Sequence, residues 1–398
     1  MTGLTATSRN RINSIDLLRG IIMVIMALDH VRDFFHKEAF TDDPLNMDTT
    51  TPWLFFTRWI THFCAPAFVF LAGTSAFLMG LKKTKKQLSK FLITRGLWLV
   101  IAEVLIITLG WTYNPLYNLL ILQVIWAIGI SMIILGLLVW LPLPVIFLIG
   151  FIIVAGHNLL DYPEAERKGD VGFWWNLVHH AQFYFVPYAE DRGVMIVYAF
   201  MPWAGVMALG YCFGSWYKNT VTAEARRKRL IALGFGLIGL FIVLRLINAY
   251  GNPLPWMEQP RGGLYSFFSF LNANKYPPSL MFLCMTLGPA TLLLALFEKI
   301  QAKWTRFFLT YGRVPFFFYI LHFYLIHLFC VIAFFASGYS TSQVVSRDTP
   351  FFFRPASFGF NLWVVYVVWI AVVLLLYPLC KWYNRYKATH HQWWLSYI

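Results

Sequence analysis

Long apolar runs recur along the chain from Ile21 to Leu376, and polar or proline-containing breaks separate them. Each run is close to the ~20 residues that an α-helix needs to cross the hydrocarbon core of a bilayer. Between residues 98 and 160 the division into helices rests only on the YNP turn at 113–115 and the LPLP segment at 141–144. The pattern predicts about ten transmembrane helices, at roughly 18–37, 53–80, 96–111, 118–140, 144–160, 193–216, 230–250, 278–298, 312–337 and 359–380.

The predicted fold class is all-α, a polytopic integral membrane protein with a single transmembrane domain over residues 1–398, since no loop has room for a soluble domain. Roughly two thirds of the 32 Lys and Arg residues fall on one side of the predicted helices. The positive-inside rule places that side in the cytoplasm. An even number of spans then leaves both termini cytoplasmic, with tails at 1–13 and 381–398. The two longest loops, 160–192 and 250–277, fall on the opposite side.

The composition changes this picture little. Hydrophobic residues make up 59% of the chain and charged residues 13%. The net charge of +14 follows from the loop topology and does not indicate a nucleic-acid partner. The five cysteines are scattered through apolar segments without a CxxC pair, so we assign them to packing, and we expect no metal. The first apolar run carries charges and no small-residue cleavage site, which favours a retained helix over a secretory signal.

The first predicted helix, SIDLLRGIIMVIMALDHVRDFFH, carries an unusual set of ionisable residues. Arg19 lies near its beginning, and Asp29, His30, Asp33 and His36 crowd its far end. Charged groups near hydrocarbon are costly, so a set of them within one membrane helix indicates a functional site. Eleven positions on a helix turn the chain about 20° past three full turns, so Arg19 and His30 share one face, ~16 Å apart along the axis.

This geometry suits a long ligand with an anionic end at Arg19 and a reactive end at His30. A coenzyme A thioester has that shape, and His30 can act as general base toward an acceptor hydroxyl or amine, with Asp29 or Asp33 fixing its tautomer. A plainer reading remains open. Arg19 alone is typical of a snorkelling flank, and the charges at the far end can pair along the helix surface.

Polar residues elsewhere are further candidates. We expect His62, in the second helix, either to contact the substrate or to be packed with a hydrogen bond. Arg245 and Asn248 lie near the end of the seventh helix and can hold a polar acceptor, with a snorkelling anchor as the alternative. Gln123 can serve the cofactor tunnel or clamp helices together. Arg313 is a candidate partner for the cofactor phosphates beside the arginine of the first helix.

At this point the sequence resembles a known superfamily. Arg19, ten residues and then His30 is similar to the signature of integral membrane acyltransferases of the acyltransferase-three type. The first helix and the stretch THFCAPAFVFLAG, at 61–73, more closely resemble bacterial relatives of heparan-alpha-glucosaminide N-acetyltransferase. The resemblance runs from about residue 11 to 330 and includes ILQVIWAIG (121–129), MPWAGVMALG (201–210), RLINAYGNP (245–253), KYPPSLMFLCMTLGP (275–289) and YGRVPFFFYILHFYLIH (311–327).

The resemblance implies transfer of an acyl group, often acetyl, from cytosolic acyl-CoA to a sugar or similar acceptor on the other face of the membrane. Acetyl-CoA is then the expected donor, a glycan the expected acceptor, and a bacterial inner membrane the expected setting. In the animal lysosomal members an asparagine stands at the position of His30, and the catalytic histidine comes slightly later. We therefore expect His30 to be catalytic and keep His36 as the second candidate.

Two other functions remain as alternatives. One is a proton-coupled secondary transporter with His30, Asp33 and Glu103 as a proton relay, although no repeated halves with matching broken helices are evident. The other is a haem protein that uses a histidine of the first or second helix with one of the ninth. For acyl transfer, the sequence leaves open whether the acceptor attacks directly or an acyl-histidine forms.

Overall fold

The structure is a computed structural model that describes residues 12–167, 171–300, 302–346 and 348–397. Most of the predicted N-terminal tail, residues 1–11, lies outside the described residues. The elements, in chain order, are α1 (Asn13–Phe35), α2 (Pro52–Thr61), α3 (Cys64–Gly80), α4 (Lys85–Ala102), a π-helix (Glu103–Ile107), α5 (Thr108–Thr112), β1 (Leu119–Leu122), α6 (Val124–Leu138), α7 (Leu143–Gly156), α8 (Asp161–Glu166), α9 (Gly172–Val178), β2 (Tyr184–Ala189), β3 (Arg192–Ile196), α10 (Phe200–Phe213), α11 (Ala223–Ile247), α12 (Gly263–Leu271), α13 (Leu280–Phe297), α14 (Thr305–Arg313), α15 (Pro315–Ala336) and α16 (Leu362–Thr389).

Seven helical segments of the described chain are long and apolar enough to cross a membrane, which makes the protein a multi-pass membrane protein. They are Pro52–Gly80, Lys85–Thr112, Leu143–Glu166, Ala223–Ile247, Leu280–Phe297, Pro315–Ala336 and Leu362–Thr389. The other three predicted spans contain α1, α6 and α10. Of these, α1 carries embedded charges, and α6 and α10 are only 15 and 14 residues long. The count of about ten spans and the cytoplasmic termini therefore stay predictions.

A small three-stranded sheet corrects the all-α prediction. The segment predicted as a helix over 118–140 begins as β1, which pairs parallel to β3, and β3 pairs antiparallel to β2. The run LLIL of β1 is apolar at every position, and a run so short does not distinguish a strand from a helix by its periodicity. Residues 119–122 form a strand because residues 192–196, some 70 positions later, supply their backbone hydrogen-bond partners.

Helix α1 lies at the centre of the helical bundle, and most of its 23 residues are buried. It packs against α2, α3, α13, α14, α15 and α16. Hydrogen bonds to its own carbonyl groups tie it to this surrounding layer. The indole Nε1 of Trp369 on α16 donates to Val24 O at 2.7 Å. Of the charged residues of α1, Asp16, Asp29 and Arg32 are buried, whereas Arg19 and Asp33 are partly exposed.

Helices α1 and α14 cross at backbone contact, and two glycines make this possible. A Cβ atom at Gly20 would lie well inside van der Waals distance of Phe308 O, and one at Gly312 would overlap Asp16 O. Glycine pairs of this kind let membrane helices approach more closely than any other residue allows. The crossing fixes the depth of Arg19, the neighbour of Gly20, against the end of α14.

The π-helix between α4 and α5 positions one wall of the site. Its first residue, Glu103, is fully buried, and its Oε2 accepts from the backbone N–H of Trp126 at 2.8 Å. This bond caps the first turn of α6, where backbone N–H groups lack partners within the helix. The π-helical turn, which is wider than an α-helical turn, leads into α5, and α5 places Trp111 next to His30 of α1.

Gly20→Ala is expected to lower the thermal unfolding temperature of the purified protein, because the added methyl group must push α1 and α14 apart. We expect a loss of about 1–3 kcal/mol, as for other overpacked positions. The matched control is Gly236→Ala on α11, where nothing lies within 4 Å of the added Cβ. Equal unfolding temperatures for the two variants in detergent would contradict the close crossing.

Candidate functional site

Two histidines from distant parts of the chain form the core of the site. His30 Nδ1 lies 2.7 Å from His322 Nε2, and His322 Nδ1 lies 3.2 Å from Phe318 O. A carbonyl oxygen only accepts, so His322 Nδ1 carries a proton and, in the neutral ring, its Nε2 is an acceptor. His30 Nδ1 must then be the donor in their mutual bond. This assignment leaves the lone pair of His30 on Nε2, which bonds to no group in the part of the chain that the structure describes.

Aromatic rings enclose His30. The ring centroids of Trp111, Tyr319 and Phe323 lie 5.3, 6.2 and 4.3 Å from that of His30. The indole Nε1 of Trp111 and the hydroxyl of Tyr319 are buried, and no described group bonds to them. Buried polar atoms in native proteins nearly always have a partner, so these atoms indicate a polar occupant or water beside His30.

The carboxylates of α1 bind arginines and not His30. Asp29 accepts from Arg58 Nη1 at 2.8 and 2.5 Å and from Arg32 Nη2 at 3.1 Å, and Asp33 accepts from Arg32 Nη2 at 2.7 Å. The predicted orientation of His30 by Asp29 or Asp33 is therefore wrong. Asp29 directly precedes His30 in the helix, so its side chain points about 100° away from that of His30, toward α2. The group that orients His30 is the imidazole of His322.

His36 lies where α1 ends, beyond the histidine pair. Its Nδ1 accepts weakly from the backbone N–H of Glu38 at 3.4 Å, and its carbonyl accepts from Arg354 Nη2 at 2.7 Å. Burial lowers the pKa of His36, which favours the neutral ring. His36 and Arg32 line a small pocket at this end of α1, with Glu38, Asp42, Asp43, Pro44, Thr49, Thr50 and Leu54 as the other lining residues.

At the opposite end of α1 the structure brings Arg19 and Arg313 together around one carboxylate. Arg19 Nη1 donates to Asp16 Oδ1 at 3.0 Å, and Arg313 Nε lies 4.0 Å from Asp16 Oδ2. Arg19 also donates to Ser75 Oγ at 2.9 Å and to Gly312 O at 3.3 Å. Two guanidinium groups at the same end of the helix form a basic site about three turns from His30, as the spacing predicts.

The remaining predicted residues lie in other surroundings. Gln123 precedes α6 as its N-cap, next to the carboxylate of Glu103. The guanidinium of Arg245 is buried and donates to four backbone carbonyls, those of Leu254, Ser269, Phe270 and Asn272. Asn248 bonds to both the N–H and the C=O of Trp256. These contacts give Arg245 and Asn248 a place in the loop scaffold, and the fifth N–H of Arg245 is directed at Met281 Sδ at 3.9 Å.

His62 is buried with 1% of its surface exposed, and both of its ring nitrogens lack a hydrogen-bond partner in the described chain. It interacts electrostatically with Arg58, Lys275 and Asp29. The structure thus places His62 beside the charged cluster of α1, as its position in the second predicted helix suggested. Its role in substrate binding stays a prediction.

Sequence reasoning missed three residues of this site. It did not consider Arg58, although a charge within an apolar helix is a signal that a buried partner exists. Lys275 resembles an interfacial lysine in sequence, yet only 8% of its surface is exposed. From sequence, the histidines of the ninth predicted helix are candidates only as haem ligands, although His322 is the residue that contacts His30. His327, five positions later, bonds to Gly110 O and Phe352 O, away from His30.

A second histidine network joins the end of the helical segment Leu143–Glu166 to the following loop, which is predicted to be outside. Glu164 accepts from His179 at 2.6 Å and from His180 at 2.8 Å, and His179 Nε2 bonds to His157 at 3.0 Å. Asp161, Glu164 and His179 hold potential metal-ligand atoms within 4.8 Å of one another. Hydrogen bonds within the network already engage each of them. His157 Nε2 also bonds to Pro278 O, so the network links this loop to the residues just before α13.

Asp29→Asn is expected to destabilise the protein by about 3–5 kcal/mol, because it leaves the largely buried Arg58 guanidinium without its counter-charge and removes one of the two carboxylates that pair with Arg32. Asp33→Asn is the matched control. Its side chain is 27% exposed, against 11% for Asp29, and it pairs with one arginine, so a loss of roughly 1 kcal/mol or less is expected. Thermal unfolding in detergent measures both. An equal loss for the two variants would contradict the central place of Asp29.

Comparison with known proteins adds an independent finding. The family model described as heparan-alpha-glucosaminide N-acetyltransferase, catalytic, matches residues 11–242, more than half of the chain. The matched region contains Arg19, His30 and Arg58, whereas Lys275 and His322 lie beyond it. A search of curated proteins finds no match. The chain therefore belongs to the heparan-alpha-glucosaminide N-acetyltransferase family, which indicates a membrane acetyltransferase.

Proposed function

We propose that the protein transfers an acyl group, in the first place acetyl, from acyl-CoA to a hydroxyl or amine of a glycan or similar acceptor. The donor binds from the cytosolic side and the acceptor from the other. The observation that carries the proposal is the unshared lone pair on His30 Nε2, held in place by the His322 bond in an aromatic enclosure. A neutral imidazole with an oriented free nitrogen is the group that acyl transfer to a weak nucleophile requires.

In direct transfer, the acceptor O–H or N–H donates to His30 Nε2 while the acceptor atom attacks the thioester carbonyl. The proton moves to Nε2, the new C–O or C–N bond forms, and the C–S bond breaks. His30 then returns the proton to the departing sulfur, which gives free coenzyme A. Throughout, His30 Nδ1–H stays on His322 Nε2, so the ring does not need to rotate.

An acyl-histidine route uses the same lone pair. Here Nε2 attacks the thioester carbonyl and coenzyme A leaves as the thiolate, which gives a cationic acyl-imidazolium because Nδ1 keeps its proton. The acceptor then attacks the acyl carbonyl and the bond to Nε2 breaks. The acceptor proton goes to the thiolate, so the overall balance is the same. Both routes depend on the His322 bond, because it fixes which nitrogen of His30 faces the reactants.

The donor's phosphates fit the other end of α1. Arg19 and Arg313 share a single carboxylate, that of Asp16, so two guanidinium groups face one counter-charge there. Guanidinium groups bind phosphate with charge-assisted, often paired hydrogen bonds. A pantetheine arm between this basic site and His30 would run along α1. The contacts of the described residues do not link the proton relay of the transporter alternative, because Glu103, one of its predicted members, caps α6.

His30→Gln is expected to reduce transfer of labelled acetyl from acetyl-CoA to a glycan panel by at least about 100-fold, because general-base catalysis contributes ~10²–10⁴. The matched control is His391→Gln, on the exposed segment after α16, which should keep full activity. Thermal unfolding of each variant separates loss of function from loss of fold. Undiminished transfer by His30→Gln would remove this residue from the mechanism.

His322→Gln and His322→Leu test the orienting bond. A glutamine carbonyl can accept from His30 Nδ1, whereas leucine cannot, so the glutamine variant should keep more of kcat than the leucine variant. A purely structural role for His322 would instead lower unfolding temperature and activity together in both variants.

Arg19→Met is expected to raise KM for acetyl-CoA about tenfold or more with a smaller effect on kcat, because one charge-assisted phosphate contact is lost. A second donor, acetyl-pantetheine, serves as the control. It lacks the nucleotide phosphates, so the variant and the wild type should use it equally. A matching loss with both donors would place Arg19 in the helix packing and not in phosphate binding.

A further inference from the structure

The hydroxyl of Tyr319 is a buried donor without a protein partner beside the reactive histidine. Its ring centroid lies 6.2 Å from that of His30 in an edge-on arrangement, and only 4% of the residue is exposed. No group in the described part of the chain bonds to the hydroxyl oxygen. A buried hydroxyl that lacks a hydrogen bond costs free energy, so its partner is expected to be a ligand or a water molecule that enters the site.

Helix α15 places this hydroxyl on the donor side of His30. The helix begins two residues after Arg313, which lies beside Asp16 at the basic end of α1. Tyr319 comes three positions before His322, so it lies ~4.5 Å nearer to that end than the residue that orients His30. Positions three apart share one face of a helix, and both rings accordingly contact that of His30. A thioester that arrives from the basic end would reach Tyr319 before it reaches His30.

Trp111 carries the other unpartnered donor beside His30, but it lies on the opposite side. Its ring centroid lies 5.6 Å from that of Phe34 and 5.1 Å from that of Phe351. Phe34 comes four positions after His30 on α1, about one turn farther from the basic end. The two donors therefore flank His30 along α1, and Tyr319 is the one next to the incoming thioester.

We propose that the Tyr319 hydroxyl donates a hydrogen bond to the carbonyl oxygen of the bound thioester and stabilises the negative charge that develops there. The inference rests on the proposed acyl transfer and adds a catalytic residue to it. When the acceptor atom, or His30 Nε2 in the acyl-histidine route, attacks the carbonyl carbon, the π electron pair of the C=O bond moves onto oxygen. The pair returns to the C=O bond as the C–S bond breaks. The phenol keeps its proton throughout.

The other groups around the His30 ring do not fill this role. His30 itself offers a lone pair on Nε2, and its Nδ1–H is committed to His322, whose own N–H is directed at Phe318 O. Of the described aromatic side chains that contact the His30 ring, only Tyr319 and Trp111 carry a donor without a partner. A fixed donor in an enclosed site acts most strongly where charge develops during the reaction.

Glu103 is the rival partner of the hydroxyl within the protein. Its Oε1 is buried without a described partner, and the carboxylate interacts electrostatically with Tyr319. A water molecule between the two groups would satisfy both, and Tyr319 would then serve only the packing of the π-helix. A decisive test must therefore include a measurement on the carbonyl group of the donor itself.

Tyr319→Phe removes only the hydroxyl. In the purified protein we expect kcat for transfer of labelled acetyl to fall about 100-fold or more with little change in KM for acetyl-CoA, because loss of one oxyanion donor costs ~10²–10³ in kcat. The matched control is Tyr383→Phe on α16. Its hydroxyl is also buried without a described partner, and its ring stacks on Phe317 near the beginning of α15. The control should keep full kcat. An unchanged kcat in Tyr319→Phe, or a joint loss of unfolding temperature and activity, would overturn the proposal.

Infrared difference spectra of the bound donor give a readout that a packing role would not move. Isotope-labelled and unlabelled acetyl-CoA are compared in the His30→Gln protein, which should not consume them. A hydrogen bond in an enclosed site polarises the C=O bond and lowers its stretching frequency. Adding Tyr319→Phe to this protein should therefore shift the carbonyl band to higher frequency, whereas adding Glu103→Gln should leave it in place. An unmoved band with Tyr319→Phe, or an equal shift with Glu103→Gln, contradicts the hydrogen bond.

Failure of the two proposals can be told apart. If the wild type transfers acetyl to no acceptor, the acyl transfer fails and the role of Tyr319 fails with it. If the wild type transfers acetyl and Tyr319→Phe does so with the same kcat, only the role of Tyr319 fails. A selective loss of kcat in Trp111→Phe and not in Tyr319→Phe would assign the oxyanion to the indole and exclude the phenol.

Discussion

Several charges on one helix of a membrane protein need partners and enclosure by protein, and this constraint governs the architecture around α1. Asp16, Asp29, His30 and Arg32 are all buried, and each bonds to another protein group. The surrounding helices supply both the enclosure and the partners: Arg58 comes from α2 and His322 from α15. The more apolar helices α7, α11 and α16 are far less buried in protein and are free to face lipid. The site and the centre of the fold are therefore the same structure.

Close backbone crossings make that enclosure tight enough to hold the site. Gly20 and Gly312 bring α1 and α14 into contact, and Gly73 and Gly210 do the same for α3 and α10. Each crossing lies beside a residue of the basic end of α1: Arg19 directly precedes Gly20, and Ser75, which accepts from Arg19, comes two positions after Gly73. Small residues at helix crossings thus set the positions of Arg313 at the end of α14 and of Ser75 on α3 relative to Arg19.

The parts of the site that lie on one helix could be predicted from sequence, and the parts that join distant helices could not. The spacing of Arg19 and His30 fixes their common face by helix geometry alone. The bond from His30 to His322 spans 292 positions, and no local pattern reports which of two histidines on α15 turns inward. The sequence also fails to predict the surroundings of Lys275 and Arg245. A lysine that resembled an interfacial residue is buried in the cluster, and an arginine that resembled a ligand contact is committed to backbone carbonyls. The β1–β3 pairing likewise depends on a partner strand far along the chain.

The partner of His30 is a histidine and not a carboxylate, which keeps an added charge away from the proposed reaction site. A carboxylate would stabilise a doubly protonated His30 and would itself be a buried charge, whereas a neutral imidazole orients the ring without adding charge. The carboxylates of α1 are therefore available to the arginines, with Asp29 shared between Arg32 and Arg58. The same arrangement that gives the His30 ring a neutral partner thus lets Asp29 hold Arg32 and Arg58 together between α1 and α2.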